Sequence, residues 1–550
     1  VSDPSCVAAY QNLGYLSFNQ GHLEQAQEAY AQLLRLDPSP LNRLLAASLL
    51  PIVYESTEQL AHWRARQCDA LRQLVSDRLT VDATRQLVPT GFYWAYQGCN
   101  NRDVMGLRGL IIQGRDLLAE GGSSSHAAAH PRPRSPSRSA RKIRIGFLSA
   151  YFRDHTIGRL NIGRIEQLDR QRFHVSVISP PATPDPLRQR FELSADSLVI
   201  LPRDVAASLQ RLVEQELDVL IFADVGMDPL CSTLAYSRVA PIQCATWGHP
   251  ETTGSPAIDY FVSSELLEAA EAQAHYTERL IRLPSLGTCY DRPARTGPQR
   301  GRDGFGLSSD CQLYLCPQTL FKFHPDFDAV LDQILQADPK AVLGIIEGNS
   351  AEITGRLKLR WSRTLPHART ARNAEEAAEK RGPTPSPSRR SFEQIPIGGG
   401  PTGGRSNHFV QRSPEATVEA ADSLSRVHFL PLQPNDDFLA LLQAADVILD
   451  PLHFGGGNSS YEALAMGTPV VTWPSEFLRG RITQALYRQM ECDELIADSA
   501  EDYVAKAVRV VNDRAFRRHC REQIAARSPR LFNARAEIHD WQQFLIEVTN

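Results

Sequence analysis

The chain has 550 residues, 42% hydrophobic and 22% charged, which at roughly 100–200 residues per domain suits a globular protein of about three or four domains. Lys plus Arg number 59 and Asp plus Glu 63, a formal net charge of -4, which argues against a dedicated nucleic-acid binder. No run of about 18 apolar residues is present, so no membrane span is expected.

The opening, VSDPSCVAAY, has neither the basic head nor the apolar core of a signal peptide. It lacks an initiator Met, which points to a fragment or a processed form. The ten cysteines include no CxxC pair and are expected to be free thiols in a reducing, cytoplasmic compartment. A zinc site would need ligands clustered at short spacing, and none is visible in the sequence, so no metal ligand is assigned.

Residues 7–40 read as one helical hairpin. Tyr10, Leu13, Gly14, Ala26, Tyr30 and Pro38 stand at the spacing of a tetratricopeptide repeat. Small Gly14 and Ala26 let two helices approach, and Pro38 ends the second. One repeat cannot bury its apolar face alone. Either further repeats precede Val1 or the hairpin packs on the helices that follow. Residues 41–120 read as entirely helical, with the aromatic run Gly91–Gly98 packed between helices. Residues 121–141 are rich in Gly, Ser, Pro and Arg and are expected to be a disordered linker.

From Lys142 short β-branched runs alternate with helical stretches: KIRIGFLSA, FHVSVIS, SLVILP, LDVLIFADVG, IQCATWG and DYFVSS. A second series follows: CQLYLCPQ, AVLGIIEG, RVHFLPL, DVILDPL and TPVVTWP. The fold class is therefore α/β, with two doubly wound lobes after a helical repeat-like region. The first lobe is expected over 142–305 and the second over 306–535. A polar, disordered insertion is expected at about 366–422 and a C-terminal helix over 536–550. Ligands of such folds bind at the carboxyl ends of the strands.

Four loops carry the chemistry. In VILDPLHFGGGNSSYEALAMG a strand ends at Asp450, Gly455, Gly456 and Gly457 make a tight loop, and Asn458, Ser459 and Ser460 start a helix. Backbone N–H groups and small hydroxyls at a helix start cradle phosphate. The competing reading is an ordinary turn capped by Asn458. Glu462, one turn in, can accept hydrogen bonds from ribose hydroxyls. Neither GxxxxGK[ST] nor GxGxxG occurs, which disfavours ATPases and dinucleotide oxidoreductases. In CPQTLFKFHPD, Lys322 follows the first strand of the second lobe and can neutralise a leaving diphosphate; otherwise it is a snorkelling surface lysine. Gln318 and Thr319, at that strand's end, can bind a base or phosphate. In LSAYFRDHTIGRL, His155 follows the first strand of the first lobe and can serve as a base or orient reactants, or simply cap a helix. In WGHPETTG, His249 is a ligand-facing candidate, and Thr252 and Thr253 fit a tight polar turn on the acceptor or sugar side.

Together LCPQTLFKFHPD, WGHPETTG and DPLHFGGGNSSYEALAMGTPVVTWP make the chain resemble the O-linked N-acetylglucosamine transferases and SPINDLY-like proteins, glycosyltransferase family 41. The resemblance covers residues 142–365 and 422–535, and the repeat region loosely. It implies two Rossmann-like lobes (the GT-B architecture) and inverting transfer of a sugar, usually from UDP, to Ser or Thr of proteins. It implies no metal or other cofactor, with the UDP-sugar as co-substrate and acceptors docked through the repeats. By resemblance, Lys322 holds the diphosphate, Asn458 and Ser459 touch the phosphates, and Glu462 holds the ribose. Pro434 precedes the base segment, and His155 matches a cleft histidine proposed as catalytic. There are departures. Gly457 replaces a histidine of the animal HTTG motif, Phe438 stands where a histidine packs on uracil, and Asn435 replaces a lysine. Gln318 lies four residues before Lys322 rather than three. His249 and Glu251 replace tyrosine and glycine. These leave the sugar open among N-acetylglucosamine, glucose and fucose, the last from GDP. The rival classes are a scaffold with a decayed transferase domain and a nucleotide-sugar epimerase.

Overall fold

The computed structural model describes residues 5–120, 141–298, 300–369 and 424–550. The linker expected at 121–141 falls outside these residues except for Arg141, and so does the expected insertion beyond Arg369. The first residues of that stretch, 366–369, are described and belong to the second lobe. Pro366–Ala368 form a 3-10 turn of the second lobe, with Ala368 buried and its carbonyl accepting the Arg426 amide.

The repeat hairpin consists of helices Val7–Asn19 and Leu23–Leu36. A Cβ at Gly14 would lie 2.1 Å from the Tyr30 ring, so the glycine is what admits the tyrosine between the helices. Ala26, Tyr30 and Leu33 form a small core with Leu49. The hairpin packs on helix Pro40–Ala47 and its turn sits on the second lobe, where Ser350 Oγ donates to Gln20 O at 2.6 Å and Arg356 pairs with Glu24 at 2.9 Å.

Residues 41–120 are not entirely helical. Two short strands, β1 (Val81–Asp82) and β2 (Ile112–Gln113), pair in parallel, and Phe92–Tyr96 form a 3-10 turn. Trp94 of that turn packs between helices, in the helical region's core beneath Arg64 at 5.1 Å, but its neighbours reach further. Tyr96 stacks on Phe454 of the second lobe at 4.5 Å, and Phe92 stacks on His249 of the first at 5.2 Å. The aromatic run therefore wedges against both lobes.

The first lobe holds β3 (Ile143–Leu148), β4 (Phe173–Ser179), β5 (Ser197–Ile200), β6 (Val219–Phe222), β7 (Ile242–Thr246), β8 (Tyr260–Ser264) and β9 (Arg279–Leu283). They form one parallel sheet in the order β5-β4-β3-β6-β7-β8-β9. The second lobe holds β10 (Gln312–Cys316), β11 (Ala341–Ile346), β12 (Val427–Leu430), β13 (Val447–Leu449) and β14 (Val470–Val471), also parallel, in the order β12-β11-β10-β13-β14. Most strands are buried on both faces, which is why they read as near-continuous apolar runs. Each order reverses beside its first strand, between β3 and β6 and between β10 and β13. Crevices at such reversals are where these folds bind ligands.

The final helix, Arg535–Thr549, crosses back to the first lobe. Ile538, Trp541, Phe544 and Leu545 join that lobe's core, and Trp541 Nε1 donates to Gly287 O at 2.7 Å. Among the described residues, no helix is long and apolar enough to cross a membrane.

Candidate active site

The second lobe's reversal point fixes the main constellation. The loop after β10 brings Gln318 and Lys322; the loop after β13 brings Gly455–Ser460. Lys322 Nζ donates to Gln318 Oε1 and to Gly455 O, both at 2.8 Å, and lies 4.6 Å from the centre of the Phe454 ring. Gln318 Nε2 donates to Ser459 Oγ at 2.6 Å, closing the link between the loops. Burial pushes the Lys322 ammonium down to about 8, partly offset by Asp450 and Cys316.

Asp450 is the buried support of this cradle. Its carboxylate accepts from the Gly456 amide at 2.6 Å and from Thr472 Oγ1 at 2.8 Å. Gly456 admits no side chain, because a Cβ would lie 2.4 Å from Ser460 Oγ. At Gly457 a Cβ would meet nothing within 4 Å, so the helix start faces open space. Helix Asn458–Ala465 carries no side-chain cap, so the ordinary capped turn is not what forms here. Asn458 instead donates across the lobes to Thr156 O at 3.2 Å. Ser460 Oγ shares a hydrogen bond with Thr483 Oγ1 at 2.8 Å. Thr319 is exposed, and its carbonyl accepts the Lys322 amide at 3.0 Å.

The first lobe closes on the same helix. Arg159 donates to Glu462 Oε1 at 2.7 Å, to Asp154 Oδ1 at 2.9 Å and to Asn435 Oδ1 at 3.1 Å. Burial pushes the Glu462 carboxyl up to about 7 against the pull of Arg159. A cavity of about 340 Å³ opens beside them, lined by Asp154, Arg159, Tyr290 and Asn435 among others. Pro434 is exposed just before helix Asn435–Ala444, and Phe438, half-buried, packs on the core.

His155 caps helix Thr156–Gln167 at this interface. Its Nδ1 accepts the Ile157 amide at 3.2 Å, and its ring stacks on Tyr151 at 4.3 Å. Burial first, then Arg153 and Arg159, lower it to about 4, so the ring is neutral near pH 7.

The loop after β7 does not join this group. Thr252 Oγ1 donates to Glu278 Oε2 at 2.7 Å, and Thr253 uses both its amide and its hydroxyl on Glu278 Oε1. Both threonines are buried, so their hydroxyls hold the loop rather than face a ligand. His249 is buried against Phe92, and burial pushes it down to about 3. Beside it, Glu251 pairs with Arg479 at 3.1 Å and accepts from Asn101 Nδ2 at 2.6 Å, joining the helical region to both lobes.

Sequence reasoning did not assign Arg159 or the Glu251–Arg479 pair, and it noted Asp450 only as a strand end. Asp450 alone left a signal, an acidic residue ending a buried strand just before three glycines.

Residues 408–541 match the family described as Glycosyl transferase family 41, and residues 7–40 match the tetratricopeptide repeat. Both matches point the same way as the relatives whose sequences and fold the chain resembles. The chain is 22% identical over 387 residues to a tomato (Solanum lycopersicum) protein named probable UDP-N-acetylglucosamine–peptide N-acetylglucosaminyltransferase SPINDLY, covering 68% of this chain and 35% of that one. It is 22% identical over 308 residues to the UDP-glucose:protein N-beta-glucosyltransferase of Actinobacillus pleuropneumoniae, covering 56% of this chain and 40% of that one. The chain thus spans about a third of the length of the tomato relative. A solved point mutant of the Thermobaculum terrenum O-GlcNAc transferase superposes with a TM-score of 0.65 at 20% identity, covering 99% of this chain and 92% of that one. The shared fold is the two-lobed GT-B architecture.

Proposed function

We propose that the chain is an inverting glycosyltransferase that moves N-acetylglucosamine from a UDP-sugar to Ser or Thr hydroxyls of proteins. The observation that carries this reading is the meeting of Lys322 with the uncapped helix start at Asn458, at the reversal point of the second sheet. The names of the two sequence relatives share a UDP-linked donor and a peptide or protein acceptor, which supports the donor and acceptor classes.

The acceptor oxygen forms a bond to the anomeric carbon on the face opposite the diphosphate. The bond from that carbon to the β-phosphate oxygen breaks, and its electron pair leaves with UDP. Charge builds on the diphosphate as it departs. Lys322 and the amides at the helix start are fixed donors aimed at that charge and need no reorganisation as it forms. They do there what a cation would do, so transfer is proposed without a required metal. Glu462 and the cavity beside Arg159 and Asn435 take the nucleoside end. His155 positions the acceptor rather than removing its proton. With Nδ1 accepting a backbone N–H, the neutral ring carries its hydrogen on Nε2 and can only donate there. The acceptor proton then passes to a phosphate oxygen of the departing UDP. Proteins dock through the repeat, whose first helix exposes Tyr15 and Leu16. Ten unpaired cysteines suit a reducing cytoplasm.

A thermal-shift panel with UDP, GDP and their sugars tests the reading, since a ligand of the native state raises the melting temperature by mass action. A shift with UDP that is lost in Lys322→Ala is expected. A shift with GDP alone would move the donor to GDP-fucose. No shift from a folded sample would make the chain a scaffold.

A further inference from the structure

The fold assembles a metal-ligand set that no short spacing in the sequence shows. His324 and Asp326 lie just beyond Lys322, and His453 lies just before the triple glycine. One ligand atom from each falls within 4.8 Å of the others. His453 Nε2 is 3.0 Å from Asp326 Oδ2, and His324 Nδ1, 3.3 Å from the same oxygen, accepts the Asp326 amide at 3.2 Å, a bond it would exchange for one to an ion. The two rings meet edge to face at 4.5 Å. A four-coordinate ion with bonds of about 2.0–2.1 Å holds its ligand atoms roughly 3.3 Å apart, close to the two separations from Asp326 Oδ2.

Backbone geometry supplies a second, independent observation. His453 has φ +69°, a left-handed conformation that is uncommon outside glycine although histidine adopts it more readily than most residues. Gly98, at φ +64°, makes room for the ring, since a Cβ there would lie 2.8 Å from His453 Cγ. Two left-handed residues, from separate parts of the chain, thus converge on placing this imidazole against Asp326. His324 is buried, while Asp326 is exposed and His453 half-exposed, which leaves an open side for entry and for a water ligand.

We propose that His324, Asp326 and His453 bind one divalent transition-metal ion of the zinc type, with water completing its coordination. Two imidazoles and one carboxylate suit such ions, whereas magnesium and calcium favour all-oxygen sets. The ion's role is positional. Lys322 already bonds Gly455 O, so an ion joining His324 to His453 staples the same two loops a second time. The inference does not depend on which sugar, or any sugar, the chain transfers.

The test uses the untagged chain, stripped with chelator and then titrated with Zn²⁺ alone by calorimetry. Retained metal is counted by mass spectrometry after dialysis, and Co²⁺ serves as a visible-absorption probe. One equivalent of Zn²⁺ is expected, with an intense Co²⁺ spectrum and a rise in melting temperature on adding Zn²⁺. His453→Asn keeps a residue that tolerates the left-handed backbone. It and Asp326→Asn should each weaken Zn²⁺ binding by about tenfold or more and abolish the Co²⁺ spectrum. No stoichiometric metal in the folded wild type, or equal binding in both variants, would overturn the proposal and leave a His–Asp–His hydrogen-bonded tie. The wild-type Co²⁺ spectrum decides the matter even if a variant fails to fold.

Discussion

Arg159 of the first lobe donates to Glu462 of the second at 2.7 Å, across 303 positions of sequence. The pair occupies the place where, in the proposed function, Glu462 meets the ribose. Nucleotide entry must therefore loosen Arg159. Arg159→Ala should lower the UDP dissociation constant several-fold, because the competent state no longer competes with the ion pair. Calorimetry with UDP checks this. A weaker complex would instead make Arg159 a ligand of the nucleotide.

Lys322 is the second test. Its ammonium is pushed down to about 8, so the charged form that attracts a diphosphate declines as pH rises through that value. UDP affinity should fall as pH rises through about 8. Lys322→Met should remove that dependence together with most of the affinity. A flat profile in the wild type would separate Lys322 from the diphosphate.

The junction of Glu251, Arg479 and Asn101 ties the helical region to both lobes, and both charged members are nearly fully buried. Removing one partner strands the other charge in a dry site, which costs about 3–5 kcal/mol. Urea unfolding of Glu251→Ala should show a loss of that size. A loss under about 1 kcal/mol, typical of exposed pairs, would contradict it.

Glu537 anchors the returning C-terminal helix, accepting the Thr288 amide at 3.2 Å and a second bond from the Gly287 amide. Burial pushes its carboxyl from 4.5 up to about 7. Between those values the folded chain keeps a proton that the unfolded chain has lost. Its contribution to stability is complete below about pH 4.5 and fades as pH rises through about 7. Glu537→Gln should reduce that decline, leaving the part due to Asp224 and Glu462, which burial also pushes up to about 7. An unchanged pH profile of melting temperature would show that Glu537 does not carry it.

Most of the sheet was legible because buried parallel strands are written as apolar runs, and β3 to β8 and β10 to β14 all fall in the runs picked out. β9 escaped because it is an edge strand that opens on an exposed arginine, with only Leu283 buried. The turn from β13 into helix Asn458–Ala465 was legible because three adjacent glycines stand before a small polar helix start. The aromatic run was visible, but its partners were not. Phe321, Phe454 and His249 lie far away in sequence, and nothing local tells a helix–helix core from a wedge between lobes. Thr252 and Thr253 were misplaced for a related reason. A polar turn after a strand looks ready for a ligand until Glu278, from the approach to β9, takes up its hydroxyls.

Transfer of labelled sugar from UDP-N-acetylglucosamine to a protein acceptor, with UDP release followed in the same reaction, tests the central claim most directly. The account expects labelled protein and UDP in equal amounts, and a drop in rate of about 100-fold or more in Lys322→Ala with the fold intact. Undiminished transfer in that variant, or UDP release without labelled protein, would contradict it.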